Sequence, residues 1–103
     1  MMKNINIINI NNKTLSNDEF IYCGRGSPLG NKYHIDKNVN RDVVIALYKD
    51  WFYKNLKNKS VNDYLQKIIT QLELDGYVNL GCFCAPKKCH CEIIREYLIN
   101  LYK

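Results

Sequence analysis

No stretch of this 103-residue chain approaches the ~20 consecutive apolar residues of a membrane-spanning helix, and no membrane partner is expected. No run of five like charges forms an acidic tail or a basic arm. The opening MMKNINIINI is broken by asparagine and no small-residue cleavage site follows, so a secretory leader is not expected either. Internal repeats and linker-like stretches are missing, and the length suits one core rather than two, so residues 1–103 are read as a single domain. Acidic residues are in deficit, ten against fifteen Lys and Arg, which leaves a formal net charge of +5 and a pI of about 9.0. Such a surplus suits an anionic small molecule or nucleic acid, and is equally the mark of a solvated basic surface. An even set of cysteines spread along the chain, the signature of a disulfide framework, is lacking as well. Five are present and four crowd into residues 82–91, which points to a reducing compartment: the cytoplasm of the producing cell or of a host it enters.

What is present is an ordinary globular mixture, 47% hydrophobic and 24% charged, which argues against a disordered chain. Residues 3–10 carry isoleucine on both faces, as in a short buried strand, and 20–23 reads as a second strand ended by Gly24. The segment from 24 to about 40 holds three of the five glycines and one of the two prolines, too many breakers for a helix.

Residues 41–56 predict the clearest helix, capped by Asn40, with Asp42 in the first turn and a packing stripe of Val44, Leu47, Tyr48 and Trp51. A second helix is expected over 60–75, with Ser60 and Asp63 as a capping box. Its buried face is Val61, Leu65, Ile68 and Leu72, and its stop is Gly76. Residues 77–82 read as a strand and 89–101 as a third helix, with Ile93 or Ile94, Tyr97, Leu98 and Leu101 inward. The expected class is therefore α/β: a small Rossmann-like sheet in the order β-β-α-α-β-α, flanked by helices, with ligands at the carboxyl ends of the strands.

Two loops carry the chemistry. The first is Gly24-Arg25-Gly26-Ser27-Pro28-Leu29-Gly30-Asn31. Glycine lets backbone amides approach an anion, and an arginine among them offers a planar fork to phosphate. Gly24, Arg25, Gly26, Ser27, Gly30 and Asn31 are the candidate ligand-binding residues. The loop matches neither the dinucleotide fingerprint nor the P-loop, and a structural turn would use glycine in the same way.

The second loop is Cys82-Phe83-Cys84-Ala85-Pro86-Lys87-Lys88-Cys89-His90-Cys91. Three readings compete for it. Zinc could be held by Cys82, Cys84 and Cys89 with Cys91 or His90, although C-x-C is tight for a zinc site and three adjacent ligands would diverge at a helix start. Alternatively, Cys89 is a catalytic thiolate at a helix amino terminus, its pKa lowered by the dipole and by Lys87, Lys88 and His90, with His90 as acid or base. In the third reading the thiols simply pack a small core. His34 and Cys23 are read as structural, although Cys23 abuts the glycine loop.

These loops and the segments around them resemble the family of domains of unknown function numbered 4326, small proteins of bacteria and their viruses. The resemblance rests on Asp18 to Arg25 leading into Gly26 to Asn31, on Arg41, Tyr48 and Trp51, and on Leu80 to Pro86 with Cys89-His90 and Ile93-Ile94. Where the family has Asn-Pro-Phe this chain reads Asn31-Lys32-Tyr33, and where glycine commonly follows the Cys-His pair it has Cys91. A similar strand–Cys–loop–Cys-His–helix ending in the unknown-function family numbered 488 implies a Rossmann-like sheet. The resemblance implies fold and site location, and no reaction.

Taken together, the expected function is a small ligand-binding or enzymatic domain for a phosphorylated, nucleotide-like molecule, of use to a virus that acts on or sequesters a nucleotide signal. The alternative is a zinc-stabilised module that binds nucleic acid or a protein, with Lys87, Lys88 and Arg95 facing phosphate. No cofactor is called for beyond that zinc.

Overall fold

The computed structural model describes residues 4–10, 20–24, 26–31, 33, 40–82 and 89–102. They form three strands and three helices in the order β1 (Asn4–Asn9), β2 (Ile21–Tyr22), α1 (Arg41–Lys54), α2 (Lys59–Asp75), β3 (Tyr77–Cys82) and α3 (Cys91–Leu101). The sheet order is β1-β3-β2, and both pairings are parallel. β3 is therefore the centre, and the carboxyl ends of all three strands lie along one edge of the sheet.

β3 alternates in the manner of a sheet covered chiefly on one side. Val78, Leu80 and Cys82 are buried together with Ile5 of β1, while on the other face Asn6 donates to the Asn79 side chain at 3.1 Å in an exposed pair. The three helices share a single apolar cluster with Ile5, Ile21, Val78 and Leu80.

At the far end of the polar face the packing tightens over Gly81. A methyl group there would meet Phe20 Cδ2 at 2.6 Å and Ile10 Cγ2 at 2.7 Å. Both neighbours would have to move, so Gly81→Ala is expected to destabilise the fold by about 1–3 kcal/mol, the cost of overpacking. Urea unfolding followed by circular dichroism measures this, and an unchanged midpoint would show that Phe20 and Ile10 yield freely.

The helices keep most of their expected form. Asn40 caps α1 by accepting from Val43 N at 3.0 Å, and Gly76 ends α2 in the left-handed conformation at φ 78°. Val61, Leu65, Ile68 and Leu72 are the buried residues of α2, as the periodicity predicts.

Three details differ. Asn58, not Ser60, caps α2, accepting from Ser60 N and Val61 N, and Asp63 pairs instead with Lys59 one turn back at 2.9 Å. Asparagine caps as well as serine, and the lysine draws the carboxylate away from a capping box. In α1 the buried line is Val44, Tyr48 and Phe52, while Leu47 is 42% exposed. The helix is turned so that Tyr48 faces inward, where its hydroxyl and ring both find partners. In α3 the buried set is Cys91, Ile93, Ile94 and Leu98, and Leu101 stays half exposed in the last turn.

Candidate functional site

Both chemically distinctive loops start at the carboxyl edge of the sheet, because β2 and β3 are parallel neighbours. Tyr22 pairs with Gly81, and Cys23 N donates to the Gly81 carbonyl at 3.0 Å. Extending that register by one residue sets Cys23 beside Cys82 on the same face of the sheet.

Side chains from all three helical segments reach the main chain of β2 and the loop that follows it. Tyr64 of α2 donates its hydroxyl to the Tyr22 carbonyl. His90, at the cap position of α3, donates Nε2–H to the Cys23 carbonyl. Tyr48 of α1 donates to the Leu29 carbonyl at 2.8 Å, and its ring meets that of His90 edge-on with centroids 5.0 Å apart. The two loops are thus joined through His90 and Tyr48, and both of these side chains are buried.

Within the first loop, Gly26 has φ 92°, a conformation glycine adopts without strain. Ser27 N and Oγ both donate to the Gly24 carbonyl, at 3.1 and 2.7 Å, and Gly30 N donates to the Ser27 carbonyl at 2.9 Å. Asn31 Oδ1 accepts from Tyr33 N at 2.9 Å. The amides of Ser27 and Gly30 therefore close the loop's own turns, as the structural-turn reading of its glycines expects. Arg25, central to the anion reading, lies outside the described residues.

The second loop contributes a sulfur cluster. Cys82, Cys89 and Cys91 are buried with their Sγ atoms all within 4.8 Å of one another, and Cys82 and Cys89 approach to 3.4 Å. The fourth buried thiol, Cys23, donates to the Ile21 carbonyl at 3.6 Å. All four are free thiols. Cys84, Lys87 and Lys88 lie outside the described residues.

The expectation that Cys89 and Cys91 would diverge is corrected. α3 begins at Cys91, so Cys89 precedes the helix, and the turn at His90 sends both sulfurs inward while the imidazole reaches Cys23.

The thiol chemistry is the reverse of a lowered pKa. The Cys89 thiol is pushed up to about 12, first by its hydrogen bond with Cys82 and further by burial, against an opposing contribution from Cys91. Cys91 is likewise raised, through Cys23, Cys82 and Cys89. A helix amino terminus activates a thiol only where its thiolate is also solvated or paired with a cation. The amide of Cys89 donates to Glu92 Oε2 at 3.3 Å, which places a carboxylate rather than a cation beside it.

Tyr64 is also pushed up, to about 12, by burial and then by Cys23 and Tyr22. Its folded pKa lies above the unfolded value of 10.0, so its contribution to stability is complete below pH 10 and is lost as pH rises through about 12. Alkaline titration followed by tyrosinate absorbance and circular dichroism should show unfolding in that window. Tyr64→Phe should move the transition to higher pH while losing about 1 kcal/mol at neutral pH with its hydrogen bond. An unmoved alkaline transition would remove Tyr64 from this account.

Cys23 and Tyr48 are the site residues that a reading by spacing passes over. The signal for Cys23 was its place directly before the glycine loop. Arg95 shares the outer face of α3 with Glu92 and Glu96, and Lys87 and Lys88, expected beside it, lie outside the described residues. Among the described residues, no helix is long and apolar enough to cross a membrane.

The comparisons with known proteins agree with the motif reading. The model of the family described as Domain of unknown function (DUF4326) matches residues 8–100, which takes in both loops and all three helices nearly whole. The chain belongs to the DUF4326 family. It is also similar to a curated relative, the "Uncharacterized 12.4 kDa protein in nrdA-td intergenic region" of Enterobacteria phage T4. The two are 32% identical over 79 residues, covering 77% of this chain and 67% of the relative. A phage protein is thus among the relatives of this DUF4326 domain. No solved structure matches the chain.

Proposed function

We propose that this DUF4326 domain binds a phosphorylated, nucleotide-like small molecule at the carboxyl edge of its sheet, in the manner of a minimal Rossmann-like domain. The observation that carries this reading is the junction of the Gly24–Asn31 loop with the start of α3, made by His90 on the Cys23 carbonyl and by Tyr48 between Leu29 and His90. Parallel α/β sheets place ligands outside the carboxyl ends of their strands, where loops and helix amino termini supply donors. The net charge of +5 favours an anion. The phage relative is compatible with a virus that sequesters or acts on a nucleotide signal in the cytoplasm of its host. Burial of Cys89 and His90 favours a supporting role beneath the ligand over thiolate chemistry.

The test is a thermal-shift screen against mono-, di- and cyclic nucleotides, ADP-ribose and sugar phosphates, with calorimetry on every compound that raises the melting temperature. At a ligand concentration a hundredfold above Kd, binding stabilises by about 2.7 kcal/mol, well within detection. A screen in which no phosphorylated compound shifts melting ends this reading.

A second reading, in which zinc holds the loops of a module that binds nucleic acid or a protein, is favoured by one specific observation. Cys82, Cys89 and Cys91 form a buried group whose sulfurs lie within 4.8 Å of one another.

A further inference from the structure

We infer that Cys23, Cys82, Cys89 and Cys91 form one closed four-thiolate zinc site, with Cys23 as the ligand that ties the glycine loop to the cysteine loop. The inference rests on the second reading above, and goes beyond it in naming the fourth ligand and in leaving out Cys84 and His90.

Zinc bonds thiolate sulfur at about 2.3 Å, so the edges of a tetrahedral four-sulfur site are about 3.8 Å long. Three of the sulfurs already lie within 4.8 Å of one another, with one pair at 3.4 Å, so small movements bring them onto such edges. The fourth position follows from the sheet. Cys82 ends β3, and the parallel register that pairs Tyr22 with Gly81 sets Cys23 beside it, one strand spacing of about 4.8 Å away. The hydrogen bond from Cys23 N to the Gly81 carbonyl continues that register, while the Cys23 thiol faces the Ile21 carbonyl at 3.6 Å and would turn from it to the metal.

His90 is excluded as a ligand through Nε2 because that nitrogen donates to the Cys23 carbonyl. It acts as a positioning residue: it holds the main chain of one ligand while its neighbour Cys91 supplies another. Two ligands come from strand ends and two from the start of α3, so the metal would add a cross-link among three elements already held by the β2–β3 pairing and by His90. The positive end of the α3 dipole lies against the thiolates and offsets part of their charge.

All four residues are at most 3% exposed. Burial of that degree leaves no open coordination position, so the site is structural rather than catalytic. Binding is charge-balanced: four Zn–S bonds form, four S–H bonds break, and four protons leave to buffer.

The test uses the full chain purified under reducing conditions with zinc supplied. Elemental analysis should find one zinc per chain, and X-ray absorption should find four sulfur neighbours with no imidazole scattering. Cobalt in place of zinc should give strong thiolate charge-transfer bands and the visible bands of a tetrahedral ion. Cys84→Ser should keep all four sulfurs. Cys23→Ser should weaken zinc binding by at least about a hundredfold, since outer-shell partners alone cost 10- to 100-fold.

Three sulfurs and one lighter atom in the wild type, or a sulfur lost in Cys84→Ser, overturns the inference and leaves a metal in the cluster. Absence of zinc from the reduced protein overturns both. Should Cys23→Ser fail to fold, the absorption spectra of the wild type and Cys84→Ser decide the matter without it.

Discussion

Tyr48→Ala is expected to lower the unfolding free energy by about 3–5 kcal/mol, the range for removing a large buried aromatic. The side chain is fully buried, stacked on Phe52 at 5.9 Å, set edge-on to His90, and hydrogen-bonded to the Leu29 carbonyl. Burial raises its phenol pKa well above the usual range, and the nearby thiols of Cys23, Cys91 and Cys89 add to that, so the hydroxyl stays a donor. A domain of this kind holds only about 5–15 kcal/mol in all, so the alanine variant will sit close to unfolding at room temperature.

Tyr48→Phe separates the ring from the hydroxyl. It keeps the packing and leaves the carbonyl of buried Leu29 without its donor, a loss of about 1–3 kcal/mol. Hydrogen exchange should then show the amides of Ser27 and Gly30 losing protection ahead of those in α2. Urea titration gives the two energies. A phenylalanine variant as stable as the wild type would mean that the loop is held elsewhere.

The position of Tyr48 explains how far the sequence could be read. α2 was legible to the residue on its buried face, because an isolated amphipathic helix with an αL glycine at its end has no competing demand on its orientation. α1 has one. Val44 and Tyr48 of the expected stripe are inward, while the Leu29 carbonyl and His90 ring beside Tyr48, and the Tyr97 ring against Phe52, bring in Phe52 in place of Leu47. Periodicity cannot register partners that far apart in sequence.

The sheet order is hidden for a related reason. A hairpin announces itself by its turn, whereas parallel neighbours carry no local signal of pairing. Placing β3 between β1 and β2 is what sets Cys23 beside Cys82, so the same missing information concealed the fourth cysteine of the cluster. The location of the site was legible because glycine and cysteine are conspicuous. Its internal arrangement was not, because it depends on which strand lies in the middle.

The geometry also separates two jobs that the motifs alone ran together. Cys23, Cys82, Cys89, Cys91 and His90 are buried among the elements, which suits a fastening role. On the proposed function, recognition falls to the glycine loop, whose sequence includes Arg25.

If Arg25 is that recognition group, Arg25→Ala should weaken binding of the phosphorylated ligand by about 2–3 kcal/mol, the scale of a charge-assisted hydrogen-bonded pair. In dissociation constants that is a factor of about 30 to 150. Arg25→Lys should recover only part of the loss, because an ammonium carries the charge without the planar two-pronged donor that matches a phosphate.

Neither change should move the melting temperature of the ligand-free protein. The loop is held by its own turns and by Tyr48, Tyr64 and His90, none of which needs the guanidinium. Calorimetry with the best compound from the thermal-shift screen measures the first effect, and thermal melting without ligand measures the second. Equal affinities for wild type and Arg25→Ala would remove Arg25 from recognition. Outright unfolding of Arg25→Ala would instead place the guanidinium in a structural ion pair, and the glycine loop would then be a turn that the fold needs for itself.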